Sequence, residues 1–129
     1  MTAGRDDGLE PRAVPGKGRG VFARHPFAAG SLLLLCPTIE LTPADCAEVD
    51  RTAALHKHYF THPEIDGGGL LALGLLTLAN HSPDPNADWD YRADAGLGWV
   101  IGLTALRDLA AGEEVTIDYN CALWFDPTP

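Results

Sequence analysis

Positive charge is scarce in this sequence. Nine lysines and arginines stand against 18 aspartates and glutamates in 129 residues, a formal net charge of −9. A surface of that sign repels nucleic-acid phosphates, so direct nucleic-acid binding is not expected; its complement is a basic protein or peptide. Long apolar runs are also missing. None approaches the roughly 20 residues that cross a bilayer, and no membrane partner is expected. The opening "MTAGRDDGLEPR" has no hydrophobic stretch after its charges and does not read as a secretory signal, which places the expected location in the cytoplasm. Cysteine is sparse and unpatterned: Cys36, Cys46 and Cys121 form no CxxC pair, as befits free thiols in a reducing compartment rather than a disulfide framework or zinc site. There are no repeats, no low-complexity tracts and no GxSxG elbow of a serine hydrolase.

What is plentiful is glycine and proline, 14 and 10 residues, which favours turns and short strands over a helical bundle. The expected fold is mostly β with few helices. Residues 1–12 are polar and expected to fray. "GKGRGVFA" (16–23) reads as a glycine turn feeding a strand, and "LLLLCPTIEL" (32–41) as a buried strand interrupted by Pro37. Residues 42–60 are expected to form the one clear helix, capped by Thr42, with Pro43 and Asp45 in its first turn. "LLALGLLTLA" (70–79) is buried, and periodicity does not decide between helix and strand. Residues 98–109 read as a strand entering a turn. In "EVTIDY" (114–119), Val115, Ile117 and Tyr119 alternate with Glu114, Thr116 and Asp118.

Three stretches carry candidate chemistry. The glycines of "GKGRG" allow a backbone to approach a ligand closely, but the pattern is neither GxGxxG nor a P-loop, and taken alone it reads first as a tight turn between strands. In "LANHSPDPNADW" (78–89), an apolar run ends abruptly in Asn80, His81 and Ser82, and Pro83 and Pro85 follow. Taken alone, the stretch reads first as a polar turn. Tyr119 ends its strand on the apolar side, where a core tyrosine is the ordinary occupant. "HKHYFTH" (56–62) spaces its histidines so that they do not share one helical face, and no metal site is expected there.

The order of the stretches says more than any one of them. "GKGRGVFA", "LANHSPDPNA" and "ALRDLAAGEEVTIDYN" together resemble the SET-domain protein lysine methyltransferases, over nearly the whole span from Pro15 to Asn120. The resemblance implies a β-clip fold of several small sheets with a pseudoknot-like C-terminal segment: a SET domain over residues 13–120 and a lid over 121–129. It implies S-adenosylmethionine as cofactor, and a substrate lysine in a basic protein entering from the opposite face. By motif, the backbone of Lys17, Gly18, Arg19 and Gly20 would line the methionine end of the cofactor, and Asn80 and His81 would hold it. Tyr119 would stand at the point of methyl transfer.

The chain also departs from the family's pattern. Pro83 stands where a cysteine often follows the serine, and Cys36 lies roughly where a channel tyrosine would be. Only Cys121 follows Tyr119 here, so the cysteine-rich zinc tail of many members is not expected. That leaves "NCALWFDPTP" as the expected lid, with Trp124 or Phe125 stacking on the adenine, walling the lysine channel, or simply plugging the core. A site so small is one that a homodimer could complete. Two other readings remain open on sequence: a SET-like cofactor- or peptide-binding module without catalysis, and a methyltransferase acting on a small amine or a non-lysine nucleophile.

Overall fold

The computed structural model describes residues 8–56 and 58–118. Leu9–Val14 (β1) and Gly18–Ala23 (β2) form an antiparallel hairpin closed by a three-residue loop, with Val14 opposite Gly18. Gly16 and Gly18 both sit at φ near 80°, the left-handed backbone that glycine adopts without steric cost. The expectation of a frayed N-terminus is thereby corrected for Leu9–Arg12, which pair with β2 along their length. Pro11 is tolerated because β1 is the outer strand of its sheet, where a missing N–H costs no ladder bond.

Leu32–Leu41 (β3) carries a proline in its interior, and the register explains why. Residues as far as Pro37 pair with Gly98–Ala105 (β8), whereas Thr38 to Leu41 pair with Gly69–Ala72 (β5). Pro37 stands where the strand hands over from one neighbour to the other, and its carbonyl accepts from Leu73 N–H. Phe60–Thr61 (β4) extends this sheet beyond β5, and Ala87–Asp94 (β7) forms its other edge, giving the order β4-β5-β3-β8-β7. The second sheet runs β1-β2, then Glu114–Ile117 (β9), then Asn80–His81 (β6).

Pro43–Val49 (α1) begins as expected. Thr42 Oγ1 accepts from Asp45 N–H, and the Asp45 carboxylate accepts from Thr42 N–H, a reciprocal capping box. It ends eleven residues earlier than the expected Phe60. Just past its end, the Thr52 hydroxyl donates to Val49 O and accepts from Leu55 N–H, offering the backbone local partners that compete with helical ones. The ambiguous run 70–79 is neither one helix nor one strand. Gly74, at φ 129° and ψ −168°, breaks it into β5 and a 3₁₀ turn over Leu75–Leu78.

Val21 and Ala23 of β2, Val115 and Ile117 of β9, Leu34 and Cys36 of β3, Leu70, Leu76, Ile101 and Leu103 form one continuous core, each at most 2% exposed. Burying a side chain of the size of Ile117 stabilises by roughly 1.5–3 kcal/mol. The alternation expected in "EVTIDY" therefore holds as far as Ile117, and it fixes which side of β9 faces the core.

Candidate functional site

β9 is central to the site because three separate segments converge on it. On one flank it pairs antiparallel with β2, Val21 opposite Val115. On the other it pairs parallel with β6, which places Asn80 beside Thr116 and His81 beside Ile117. Ser82 N–H then donates to Ile117 O at 2.8 Å, and Ser82 Oγ accepts from Asp84 N–H, closing the turn that contains the two prolines. The abrupt end of the apolar run is thus structural: Asn-His is a two-residue strand whose backbone must bond β9.

The chain then returns to the same strand. Asn86, 3% exposed, donates from Nδ2 to Glu114 O at 2.7 Å and to Glu113 Oε2 at 3.3 Å, while its Oδ1 accepts from Thr116 N–H at 2.9 Å. One amide side chain therefore does for β9 what a neighbouring strand would, which matters because buried backbone groups must be paired.

Asn80 joins this strand to the glycine hairpin. Its Nδ2 donates to Glu114 Oε2 at 2.7 Å and to Arg19 O at 3.2 Å. A Cβ on Gly20 would fall 2.5 Å from Glu114 Oε2 and 2.8 Å from Asn80 Nδ2, so only glycine leaves room for that hydrogen bond. Arg19, Gly20 and Asn80 are thus brought together. Lys17 and Gly18 lie in the adjoining turn, where Lys17 N–H donates to Val14 O. His81 Nδ1 lies 3.8 Å from Asp118 Oδ1, with the imidazole largely buried. Tyr119, Trp124 and Phe125 fall outside the described residues, although Tyr119 is covalently the next residue after Asp118.

Sequence reasoning overlooked the aromatic strand β7. Trp89 Nε1–H donates to Asp118 O at 3.0 Å, and its ring meets Phe60 and Tyr91 edge-on at 4.6 and 5.2 Å. The alternation of Trp89 and Tyr91 with aspartates in "DWDY" is the period-two signal that would have found it. Tyr91 O–H donates to Thr61 O, and burial pushes its phenol above the ordinary tyrosine range. The Tyr59 phenol is raised as well, by burial first and then by its hydrogen bond to Asp50.

Both phenols favour the protonated fold. Their contribution to stability is complete below the ordinary tyrosine pKa near 10 and is lost as pH rises through the higher folded values. Absorbance titration at 295 nm should show Tyr59 and Tyr91 ionising late, with alkaline unfolding accompanying them. Ordinary titration of Tyr59 and Tyr91 would contradict this.

The histidine-rich segment has other occupations. His62 is buried, with Nε2 against Glu40 Oε1 at 2.9 Å and Nδ1 accepting from the N–H groups of Glu64 and Ile65. Two amide donors at Nδ1 place the imidazole proton on Nε2. His56 Nδ1 lies 2.8 Å from Asp50 O. Among the described residues, no three histidine, cysteine or carboxylate side chains converge on a common point.

Comparison with known proteins agrees with this architecture. The family model described as "SET domain" matches residues 18–120. An H3 lysine-37 specific histone-lysine N-methyltransferase of Schizosaccharomyces pombe is 32% identical over 92% of this chain and 77% of its own length. An N-lysine methyltransferase of Danio rerio, KMT5A-A, is also 32% identical, over 93% of this chain but only 37% of its own. Among solved structures, a candidate histone methyltransferase of Plasmodium falciparum superposes with a TM-score of 0.71 at 23% identity, covering 91% of this chain and 96% of that one. A Chaetomium thermophilum Polycomb Repressive Complex 2 bound to S-adenosylmethionine gives 0.71 at 22%, covering 87% of this chain and 15% of that one. At those identities the structural likeness is one of fold. With the family match spanning most of the sequence and β9 gathering the glycine hairpin, the Asn-His strand and Asn86, the chain belongs to the SET-domain family.

Proposed function

We propose that this chain is a protein lysine N-methyltransferase that draws its methyl group from S-adenosylmethionine and acts on a lysine in a basic protein. The observation that carries the reading is the convergence of Arg19, Gly20, Asn80 and Glu114 on one side of β9, with His81 and Asp118 at its end, immediately before Tyr119. These residues fit the cofactor: a side-chain-free backbone at Gly20 faces a fixed amide, and Gly16 and Gly18 have nothing within 4 Å of where a Cβ would stand. The Arg19–Gly20 backbone, Asn80 and His81 would hold it, with Lys17 and Gly18 contributing from the turn and Trp124 from the lid.

S-adenosylmethionine, when bound, would supply a methyl group electrophilic enough for a neutral lysine amine to take, with the thioether as leaving group. The protein's work is alignment and exclusion of water. The lysine must arrive as a neutral amine, and a dry channel disfavours its cationic form. Tyr119 would direct the amine lone pair at the methyl carbon. The charge of −9 complements a basic substrate, and the named relatives include a histone methyltransferase. We assign it to the cytoplasm, with a homodimer as the arrangement that would complete the site.

Calorimetry with S-adenosylmethionine, paired with methylation of an array of basic lysine-containing peptides, tests this reading. Binding together with transfer to lysine is the expected result. Binding without transfer to any peptide would leave a binding module, and transfer confined to small amines would replace the substrate class. The glycine cradle has its own test. Gly20→Ala should fold with the loss of roughly one hydrogen bond's worth of stability, about 1 kcal/mol, because the Asn80–Glu114 contact must open. Its affinity for S-adenosylmethionine by calorimetry should fall about tenfold, the equivalent of ~1.4 kcal/mol; unchanged affinity would remove Gly20 from the site.

A further inference from the structure

We propose that Trp89 is a positioning residue for Tyr119, acting through the Asp118 carbonyl; this rests on the reading of Tyr119 as the tyrosine at the transfer point. The Asp118 carbonyl belongs to the peptide bond that leads into Tyr119, so whatever fixes that oxygen fixes the start of the tyrosine's backbone. The Trp89 indole N–H donates to it at 3.0 Å.

The indole is itself held from two sides. Its ring meets Phe60 of β4 at 4.6 Å and Tyr91 at 5.2 Å, both edge-on. The Tyr91 hydroxyl donates to Thr61 O, tying the cluster back to β4. Trp89 also stands directly opposite Leu103 of β8, which is fully buried, so its backbone is set by the full-length β7–β8 ladder. A side chain anchored this firmly transmits position rather than absorbing it.

The far side of β9 shows the same care over its last residues. Ser82 N–H binds Ile117 O, and the His81 imidazole lies 3.8 Å from the Asp118 carboxylate. Regular pairing of β9 with β2 reaches only Val115. Beyond it the strand is held by β6, by Asn86 at Thr116 N–H, and at Asp118 by the Trp89 indole. An in-line displacement tolerates little error, since a misplacement of about 1 Å costs on the order of 10²-fold in rate.

Trp89→Phe keeps an aromatic ring against Phe60 and Tyr91 but deletes the indole donor. The expected result is a kcat lowered roughly 10- to 100-fold, with the melting temperature and the affinity for S-adenosylmethionine nearly unchanged. In a Tyr119→Phe background the same change should cost nothing further, because both act through one group. Wild-type kcat in Trp89→Phe, or losses that multiply in the double variant, would overturn the inference.

Two readouts need no methyl transfer. With 15N-tyrosine labelling, the Tyr119 amide resonance should shift in Trp89→Phe; an unmoved resonance overturns the inference even if activity falls. In the unmodified protein the Trp89 indole proton, identified by its contacts to Phe60 and Tyr91, should exchange slowly with solvent. Exchange at the rate of a free indole would overturn the proposal without any variant. A wild-type chain that binds the cofactor and methylates nothing overturns instead the functional reading, and with it the catalytic half of this inference.

Discussion

Asn86→Ala should lower the melting temperature by roughly 10 °C or more, the largest stability loss expected from any single truncation in the 80–90 segment. The cause is the pair of backbone groups that Asn86 satisfies, Glu114 C=O at 2.7 Å and Thr116 N–H at 2.9 Å. Alanine leaves both without their partner beneath a residue only 3% exposed, and each buried polar group so stranded costs about 1–3 kcal/mol. Asn86→Asp separates shape from hydrogen bonding. It preserves the outline and the acceptor for Thr116, but it loses the donor to Glu114 O and sets a carboxylate where Asn86 Nδ2 lies 3.3 Å from Glu113 Oε2. Aspartate should therefore rescue little or none of the loss. Thermal unfolding of the two variants checks this, and a wild-type melting temperature for Asn86→Asp would show that packing, not the amide, joins the loop to β9.

Tyr119→Phe should reduce kcat for methyl transfer on the order of 10²-fold or more while leaving the affinity for S-adenosylmethionine nearly intact. Removing one preorganised hydrogen-bonding group from a dry reaction centre has effects of this size. The hydroxyl is proposed to orient an amine that is present only in the ternary complex, so its loss falls on kcat rather than on cofactor binding. Single-turnover kinetics beside calorimetry separates the two quantities. Full activity in Tyr119→Phe would remove that residue from the transfer point, and a parallel loss of cofactor affinity would move it to the cofactor's side.

Legibility in the sequence followed the range of the interactions involved. The start of α1 was readable because its capping box spans three residues, Thr42 to Asp45. Its end was not, because Thr52 diverts the backbone with local hydrogen bonds that no periodicity reveals. The break at Gly74 turns on a backbone conformation reserved to glycine, and an apolar run read by composition gives no hint of it. β1 was taken for a polar tail because an outer strand packs on few neighbours and admits Pro11 and exposed charges. β7 escaped notice because its aspartates depress strand propensity.

At the site, the residue types of Asn80 and His81 suggested a turn as readily as a ligand. Their parallel pairing with β9, 36 residues further along the chain from Asn80 to Thr116, makes them a two-residue strand that no local pattern announces. Asn86 and Trp89 are the clearest omissions. Their roles lie in contacts across 28 to 30 residues to the backbone of β9 and Asp118, and no local pattern encodes such contacts. The order of the three motifs nevertheless located the strand on which all these contacts converge.

Whether the chain moves a methyl group onto lysine, as proposed, is measured most directly by transfer of label from S-adenosylmethionine with a tritiated methyl. Purified chain incubated with core histones and with a fractionated lysate, followed by peptide mapping of the labelled band, should place the tritium on a lysine side chain of a basic protein. The signal should be lost in Tyr119→Phe. Tritium absent from every protein, under conditions where calorimetry shows the cofactor bound, would contradict the account.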